Sequence, residues 1–480
     1  MQDTKPDDRT PGADTLRAQF DRQRAAADRD RYPSHAERDR RLRALERMLA
    51  ANAEAFCAAI AADFGHRSAH ETRLLEILPS RQAIRFARSH LRSWMAPERR
   101  RTSPFFIPGR SRVRYQPLGV AGIIVPWNYP LYLAMSPLVG AIAAGNRVML
   151  KLSEFTPRTA ELLQSALAKH FPELEVCAVL GPASVGQAFS RLPFDHLLFT
   201  GSTATGRHVM KAAAENLTPV TLELGGKSPA IVAEGYPVAH AAQRIVLGKA
   251  FNAGQTCIAP DYVLVPRGAL DAFLAEAASA AQRFYPDPLG GPDYSSIASD
   301  RHYQRVAALL EEARTAGARI VPLHPGQQPD ARTRRFPLTA IVGAARDSGV
   351  LTEEIFGPLL PIVTYDHIDE VVEDIARRPA PLALYIFDRD RRRIEHVLAG
   401  TKAGGVTIND VIFHIGQEDL PFGGVGPSGI GRYHGREGFV AFSNARSVFH
   451  QSRLAPATLL RPPFEGWRDR LIRLVTSRRG

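Results

Sequence analysis

Cysteine is almost missing from this chain: its 480 residues include three, Cys57, Cys177 and Cys257. So sparse and odd a count excludes a disulfide framework and fits a reducing, cytoplasmic compartment. Neither CxxC nor HExxH occurs, so the usual zinc-ligand spacings are excluded and no metal is expected. Long uninterrupted apolar runs are missing too. Pro117–Asn146 carries no charge, but Pro126, Asn128, Pro130 and Pro137 interrupt it. Freed backbone groups need partners in a bilayer, so the segment reads as a buried strand, a loop and a buried helix. Met1–Arg31 is polar and mixed in charge, without the apolar stretch of a secretory leader. Basic residues outnumber acidic ones by 61 to 49, for a net charge of +12, but they form no stripe, and basic runs such as Arg99–Arg101 are short. With no zinc-finger spacing and no RRM-like aromatic motif, nucleic acid is not expected as a partner. The charge reads as an arginine-rich solvated surface that would also draw anionic cofactors.

What is present is an ordinary globular composition, 45% hydrophobic and 23% charged. The length fits about two to four domains. Residues 1–30 read as a mobile tail. From Ser34, Leu42, Leu45, Leu49, Phe56 and Ile60 follow helical spacing, and a second helical stretch over 71–94 is expected to break at Pro79. Ser111–Tyr115 is strand-like but too polar for a core, as in an arm that pairs with another subunit. Then strands at 118–125, 147–150, 174–180, 196–199 and 220–224 alternate with helices at 131–144, 157–170 and 204–214. Past Pro229 a second alternating region has strands at 262–265, 320–323, 338–342, 361–364, 384–387 and 406–408. Its helices are expected at 238–251, 270–283, 301–316 and 368–376. Alternation of this kind predicts α/β architecture with parallel sheets.

Four segments carry candidate chemistry. In Gly254-Gln255-Thr256-Cys257 a cysteine sits in a helix-to-strand loop, where a thiolate can act as nucleophile. The competing reading is a small buried hydrophobe, which holds for Cys57 on an alanine-rich helix and Cys177 in an apolar strand. In Leu222–Pro229, Glu223 interrupts an apolar strand just before two glycines, a costly place for a carboxylate without a function. Gly226-Lys227-Ser228 mimics the tail of a phosphate loop, but Thr221 stands where the first glycine belongs. In Pro126–Pro130, Asn128 is clamped at a strand exit, either as a turn residue or as an N–H donor to an oxyanion. In Phe199–Gly206, small residues lead into a helix whose N-terminus can face a phosphate or simply be capped. A GxGxxG occurs at Gly424–Gly429, but outside a strand–turn–helix context, so Pro421–Gly435 reads as a loop.

The segments PWNYP, FTGST, LELGGKSP, GQTC, EEIFGP and PFGGVGPSG occur in that order. Together they resemble the signature set of the aldehyde dehydrogenase superfamily, closest to its class 3 type, over about Ser34–Gln451. The resemblance implies two Rossmann-related parallel-sheet domains and a small β oligomerisation arm. Residues 31–98 and 118–224 would bind NAD(P), 225–420 would form the catalytic domain, and 99–117 with 440–456 the arm of a homodimer. A basic amphipathic tail would span 457–480, docked on a subunit or, less in keeping with the pattern, touching membrane. The resemblance assigns Cys257 as nucleophile, Glu223 as general base and Asn128 as oxyanion donor. Lys151 and Glu154 would hold the adenosine ribose, Gly201 and Ser202 would lie near the pyrophosphate, and Glu354 and Phe356 would contact the nicotinamide side. Leu152 departs from the proline common there.

NAD is the implied cofactor, with NADP also accepted. The implied reaction oxidises an aldehyde, aromatic such as coniferyl aldehyde or medium-to-long aliphatic, to the acid through a cysteine thioester. A CoA-acylating dehydrogenase and a noncatalytic NAD-binding protein of the same fold remain alternatives. Beside these motifs, Tyr132, Ile258, Val411, Ile412 and Phe413 are uncharged and read as walls of an apolar substrate tunnel. His414 and Gln417 could hydrogen-bond a phenol or methoxy group there.

Overall fold

The computed structural model describes residues 11–454, 456 and 461–477. Helices α1 (Ala13–Arg29), α2 (His35–Phe64), α3 (Ala69–Thr72) and α4 (Leu78–Met95) come first. Ser34 starts α2 by accepting the Glu37 N–H at 3.2 Å. The break expected at Pro79 does not occur: a π-helical stretch at Arg73–Ile77 joins α3 to α4 in one continuous helical run, and Pro79, which has no N–H to donate, follows directly after it.

Strands β1 (Glu98–Arg100) and β2 (Arg110–Pro117) belong to the arm. The first α/β unit follows: β3 (Val120–Ile124), α5 (Tyr132–Ala144), β4 (Arg147–Lys151), α6 (Pro157–His170), β5 (Val176–Val179), α7 (Ala183–Ser190), β6 (His196–Thr200), α8 (Thr203–Ala214) and β7 (Val220–Glu223). The second runs β8 (Pro229–Val232), α9 (Val238–Ala250), β9 (Tyr262–Pro266), α10 (Leu270–Phe284), α11 (Asp300–Thr315), β10 (Arg319–Pro322), β11 (Thr339–Val342), α12 (Gly349–Thr352), β12 (Leu359–Tyr365), α13 (Ile368–Arg377), β13 (Ala383–Phe387), α14 (Arg391–Gly400) and β14 (Gly405–Ile408). The chain then returns to the first unit with β15 (Gly429–Ile430) and α15 (Gly435–Ala441), completes the arm with β16 (Ser443–His450), and adds α16 (Trp467–Ser477).

Three sheets result, ordered β15-β7-β6-β3-β4-β5, β10-β11-β12-β9-β8-β13-β14 and β1-β2-β16. The first two are parallel apart from the edge strands β15 and β10. Their interior strands are continuous buried runs, as expected where helices cover both faces. Helix α5, apolar on every side, is buried along its whole length. The mixed α/β fold with parallel-sheet domains is thus the one the alternation predicts.

Two expectations are corrected. Residues 13–29, assigned to a mobile tail, form a helix, because Leu16, Phe20, Gln23 and Ala27 line one face and dock on the first sheet domain. Residues 1–10 lie outside the described residues. Pro421–Gly435 is not wholly a loop: Gly429 and Ile430 pair with Glu223 and Leu222 as an antiparallel edge strand. In the C-terminal tail, residues 457–460 and 478–480 lie outside the described residues. Helix α16 leaves Trp467 and Leu474 more than half exposed. No helix among the described residues is long and apolar enough to cross a membrane.

Candidate functional site

The carboxyl ends of β3, β4, β6 and β7 share one edge of the first sheet, and each exit carries a candidate residue. Asn128 follows β3, Lys151 ends β4, Gly201 and Ser202 follow β6, and Glu223 ends β7. This is the edge where doubly wound sheets bind ligands. Facing it is the opposite edge of the second sheet, whose amino ends carry Cys257 before β9 and Glu354 and Phe356 before β12. A cavity of about 320 Å³ lies between them, lined by Asn128, Gly201, Ser202, Glu223, Cys257, Glu354 and Phe356 among others. Seven candidates from distant parts of the chain therefore meet in one space.

The loop before Cys257 is unusual. Asn252, Ala253 and Gly254 are all left-handed, with φ of 50°, 51° and 76°. The first two lack glycine's freedom, so the surroundings must hold them. The Asn252 N–H donates to the Glu71 carboxylate at 3.2 Å, and its side-chain amide donates to the carbonyls of Asn128 and Gln255 at 3.0 and 3.1 Å. At Gly254 a Cβ would stand 2.3 Å from the Gly357 carbonyl oxygen, so only glycine lets the two loops touch. Asn128 is buried and its amide donates to the Gln255 carbonyl at 3.2 Å, beside the Cys257 loop, with a second N–H to offer.

The electrostatics are those of a buried acidic site. Burial, with the Glu354 and Glu223 charges adding to it, pushes the Cys257 thiol up to about 12. Glu223 is buried, neither oxygen has a hydrogen-bond partner among the described residues, and burial raises its carboxyl well above the ordinary range. Glu354 is raised to about 8, chiefly by burial and then by the Asp261 charge. Asp261 joins the loops together: it pairs with Lys227 at 2.7 Å and Lys249 at 3.4 Å and accepts the Ile355 N–H at 3.3 Å.

Some candidates stand apart from the cavity. The Lys151 ammonium reaches the Leu152 carbonyl at 2.7 Å and Glu154 at 3.3 Å, on the same sheet edge but outside the lining. Tyr132, Ile258, Val411 and Ile412, expected as tunnel walls, are buried and lie outside the lining of this cavity. Tyr132 turns its hydroxyl to His434 Nε2 at 3.3 Å, so Leu133, one position along α5, faces the cavity. His414 bonds Thr407 Oγ1 at 2.9 Å, and Phe413 and Gln417 are exposed outside the lining. The apolar walls are instead Leu133, Leu382, Ile415, Phe422 and Tyr433. His302 and Arg305 on α11 also line the cavity, His302 lying against Trp127 with ring centres 4.5 Å apart. No motif marks them; their one signal is i,i+3 spacing just after the capping Ser299.

Fold and site together define an enzyme with a ligand cleft between two Rossmann-related sheets. Among known proteins, the profile of the Aldehyde dehydrogenase family matches residues 11–448, and the chain belongs to that family; it acts on aldehydes. A probable coniferyl aldehyde dehydrogenase of Pseudomonas aeruginosa is 50% identical over 450 residues, 94% of each chain. A solved structure of Staphylococcus aureus AldH in its substrate-bound state superimposes with a TM-score of 0.91 at 35% identity, covering 96% of this chain and 99% of that one. A Mycobacterium tuberculosis aldehyde dehydrogenase complexed with NAD+ gives 0.83 at 30% identity, over 93% and 91%.

The residues here fit such a dinucleotide. Gly201 and Ser202 line the way into the cavity, and Ser202 caps α8, whose free N–H groups suit a phosphate. Gly225 lets the Glu354 carboxylate lie against the backbone at the cavity, where a Cβ would collide with it.

Proposed function

We propose that this protein oxidises an aromatic or medium-to-long apolar aldehyde to its carboxylic acid, with NAD as acceptor and a thioester on Cys257 as intermediate. The observation that carries the reading is the convergence of Cys257, Glu223 and Asn128 on one cavity. The thiol is held protonated at neutral pH, so it must lose its proton before it attacks. That proton leaves to solvent through the cavity, and Glu223, with both oxygens unbonded, is kept for the hydrolytic water. Sulfur then adds to the aldehyde carbon, and the oxygen gains charge that the Asn128 amide and the Cys257 backbone N–H can meet. When bound, the oxidised nicotinamide supplies the hydride acceptor. Lys151 and Glu154 would hold the adenosine ribose, and Glu354 and Phe356 the nicotinamide side. Glu223 next takes a proton from water, hydroxide adds to the thioester carbon, and the thiolate leaves with the acid released.

A CoA-acylating enzyme needs no such base, so the buried carboxylate favours hydrolysis. The apolar walls at Leu133, Leu382, Ile415 and Phe422 favour an apolar substrate. The name of the Pseudomonas aeruginosa relative supports a coniferyl-type aldehyde. Three free cysteines support a cytoplasmic setting, and exposed Phe105, Phe106, Ile107 and Phe449 on the arm support a homodimer. NADH formation with cinnamaldehyde-type, long aliphatic, short aliphatic and charged semialdehyde substrates, with and without CoA, tests the reading. A cinnamaldehyde-type or long aliphatic aldehyde should give the highest kcat/KM without CoA. A charged semialdehyde as the best substrate, or an absolute need for CoA, would overturn it.

A further inference from the structure

Behind the cavity lies an ion pair that the chemistry above does not use. Arg67 and Glu76 are both fully buried and their charged atoms are 2.8 Å apart. Isolated pairs of this kind seldom add stability, because desolvating both charges offsets their attraction. This pair instead holds a loop at both ends. The same Arg67 nitrogen donates to the Asn128 carbonyl at 3.0 Å. The Glu76 carboxylate accepts the N–H groups of Leu131 and Tyr132, at 2.8 and 3.1 Å, at the start of α5. The Arg67 guanidinium is wedged between the rings of Phe64 and Tyr129, 5.1 and 4.7 Å from their centres, which leaves it no room to swing. Tyr129 in turn shares a hydrogen bond of 2.7 Å with Thr256, next to the nucleophile. Asn252 reaches the same Asn128 carbonyl from the nucleophile loop.

We propose that the Arg67–Glu76 ion pair is a positioning clamp for Asn128: it fixes the segment Asn128–Tyr132 from behind, so that the Asn128 amide stays aimed beside Cys257. Neither residue touches substrate; both act through Asn128. The inference rests on the oxyanion role proposed for Asn128. An oxyanion donor works only if it is already in place when charge develops. A shift of about 1 Å in such a group can cost on the order of 100-fold in rate.

The experiment is a stopped-flow cycle that reads the rate of the first NADH burst, the Kd for NAD and the melting temperature. Asn128→Ala alone should slow the burst by about 10²–10³-fold. Arg67→Met with Glu76→Gln removes both charges of the pair, and the glutamine can still accept from Leu131 and Tyr132. It should slow the burst about 10- to 100-fold while the Kd for NAD stays within about threefold. Added to Asn128→Ala, the same pair should cost less than about twofold more, because the group it positions is gone. Arg67→Lys keeps the cation but loses the fork, and serves if the double variant does not fold; it should slow the burst about 5- to 10-fold with the same loss of effect in the Asn128→Ala background. Losses that simply add in that background, or that track the fraction of folded protein, would overturn the clamp. If Asn128→Ala leaves the burst within about threefold of normal, the oxyanion role itself fails. A slowed Asn128→Ala beside unaffected Arg67 variants fails the clamp alone.

Discussion

Glu223 is a carboxylic acid at the end of a buried strand with nothing among the described residues to bond it, an arrangement that costs stability. Glu223→Gln keeps the shape and removes the base. A burst of about one NADH per site should survive, followed by turnover ~10²-fold slower or worse, read by stopped flow. Because burial raises the Glu223 carboxyl well above its usual range, the hydrolytic limb should gain rate as pH rises and the carboxylate forms. A pH profile of steady-state kcat checks the sign. Cys257→Ala should abolish turnover yet still bind NAD, measured by protein-fluorescence quenching. Both residues were legible because each breaks a local pattern: a charge inside an apolar strand and a cysteine in a Gly-Gln-Thr loop. Arg67 and Glu76 were not, because in a helical stretch arginine and glutamate ordinarily mean a solvated face. Their burial is decided by α5 and the nucleophile loop packing over them.

Most strands and helices of the two sheet units fall close to where hydrophobic period places them, whereas β8, α7, α12 and α14 were not expected. Nor was helix α1, although Leu16, Phe20, Gln23 and Ala27 follow helical spacing. Charged residues fill its other faces, and Gln23 in the stripe hides the signal. That glutamine is buried because its amide donates to the Glu173 carbonyl at 2.7 Å, a contact the local sequence does not show. Phe20 packs edge-on against Phe194 with ring centres 5.4 Å apart. Phe20→Ala should weaken this docking by about 3 kcal/mol and speed proteolysis within residues 13–29 while the rest resists. If Glu154 holds the adenosine ribose as proposed, its carboxylate would accept from ribose hydroxyls and repel a 2′-phosphate, so NAD should be preferred. Glu154→Gln should raise kcat/KM with NADP by about tenfold relative to NAD.

Over the whole molecule, buried acids and buried imidazoles oppose one another. Burial raises Glu71 and Glu418 to about 7 and Glu354 to about 8. Each holds its proton more tightly folded than unfolded, so its contribution is complete below the ordinary 4.5 and lost as pH rises through 7 to 8. Burial lowers His196 and His414 to about 4 and His434 to about 3. Their contribution is complete above 6.5 and lost as pH falls through 4 to 3. Glu37, held near 2 by its hydrogen bond to Arg40, adds to the loss on the acid side. The melting temperature should therefore be highest between about pH 4.5 and 6.5 and fall toward both pH 3 and pH 9, in a thermal-shift series.

Taken by itself, the sequence determined the α/β class, the two alternating regions, and the identities of Cys257, Glu223, Asn128 and the residues at the strand exits. Those depend on periods and breaks within a few residues, where side-chain chemistry and backbone geometry are coupled. Only the tertiary structure decided that the carboxyl edge of one sheet faces the amino edge of the other. That juxtaposition brings residues more than a hundred positions apart into one cavity. It also decided which side of α5 meets the cavity, Leu133 rather than Tyr132, because every residue of that helix is apolar or small enough to be buried and no polar face marks an outside. Where a helix is buried all round, its neighbours set its rotation, and the local sequence carries no signal for it.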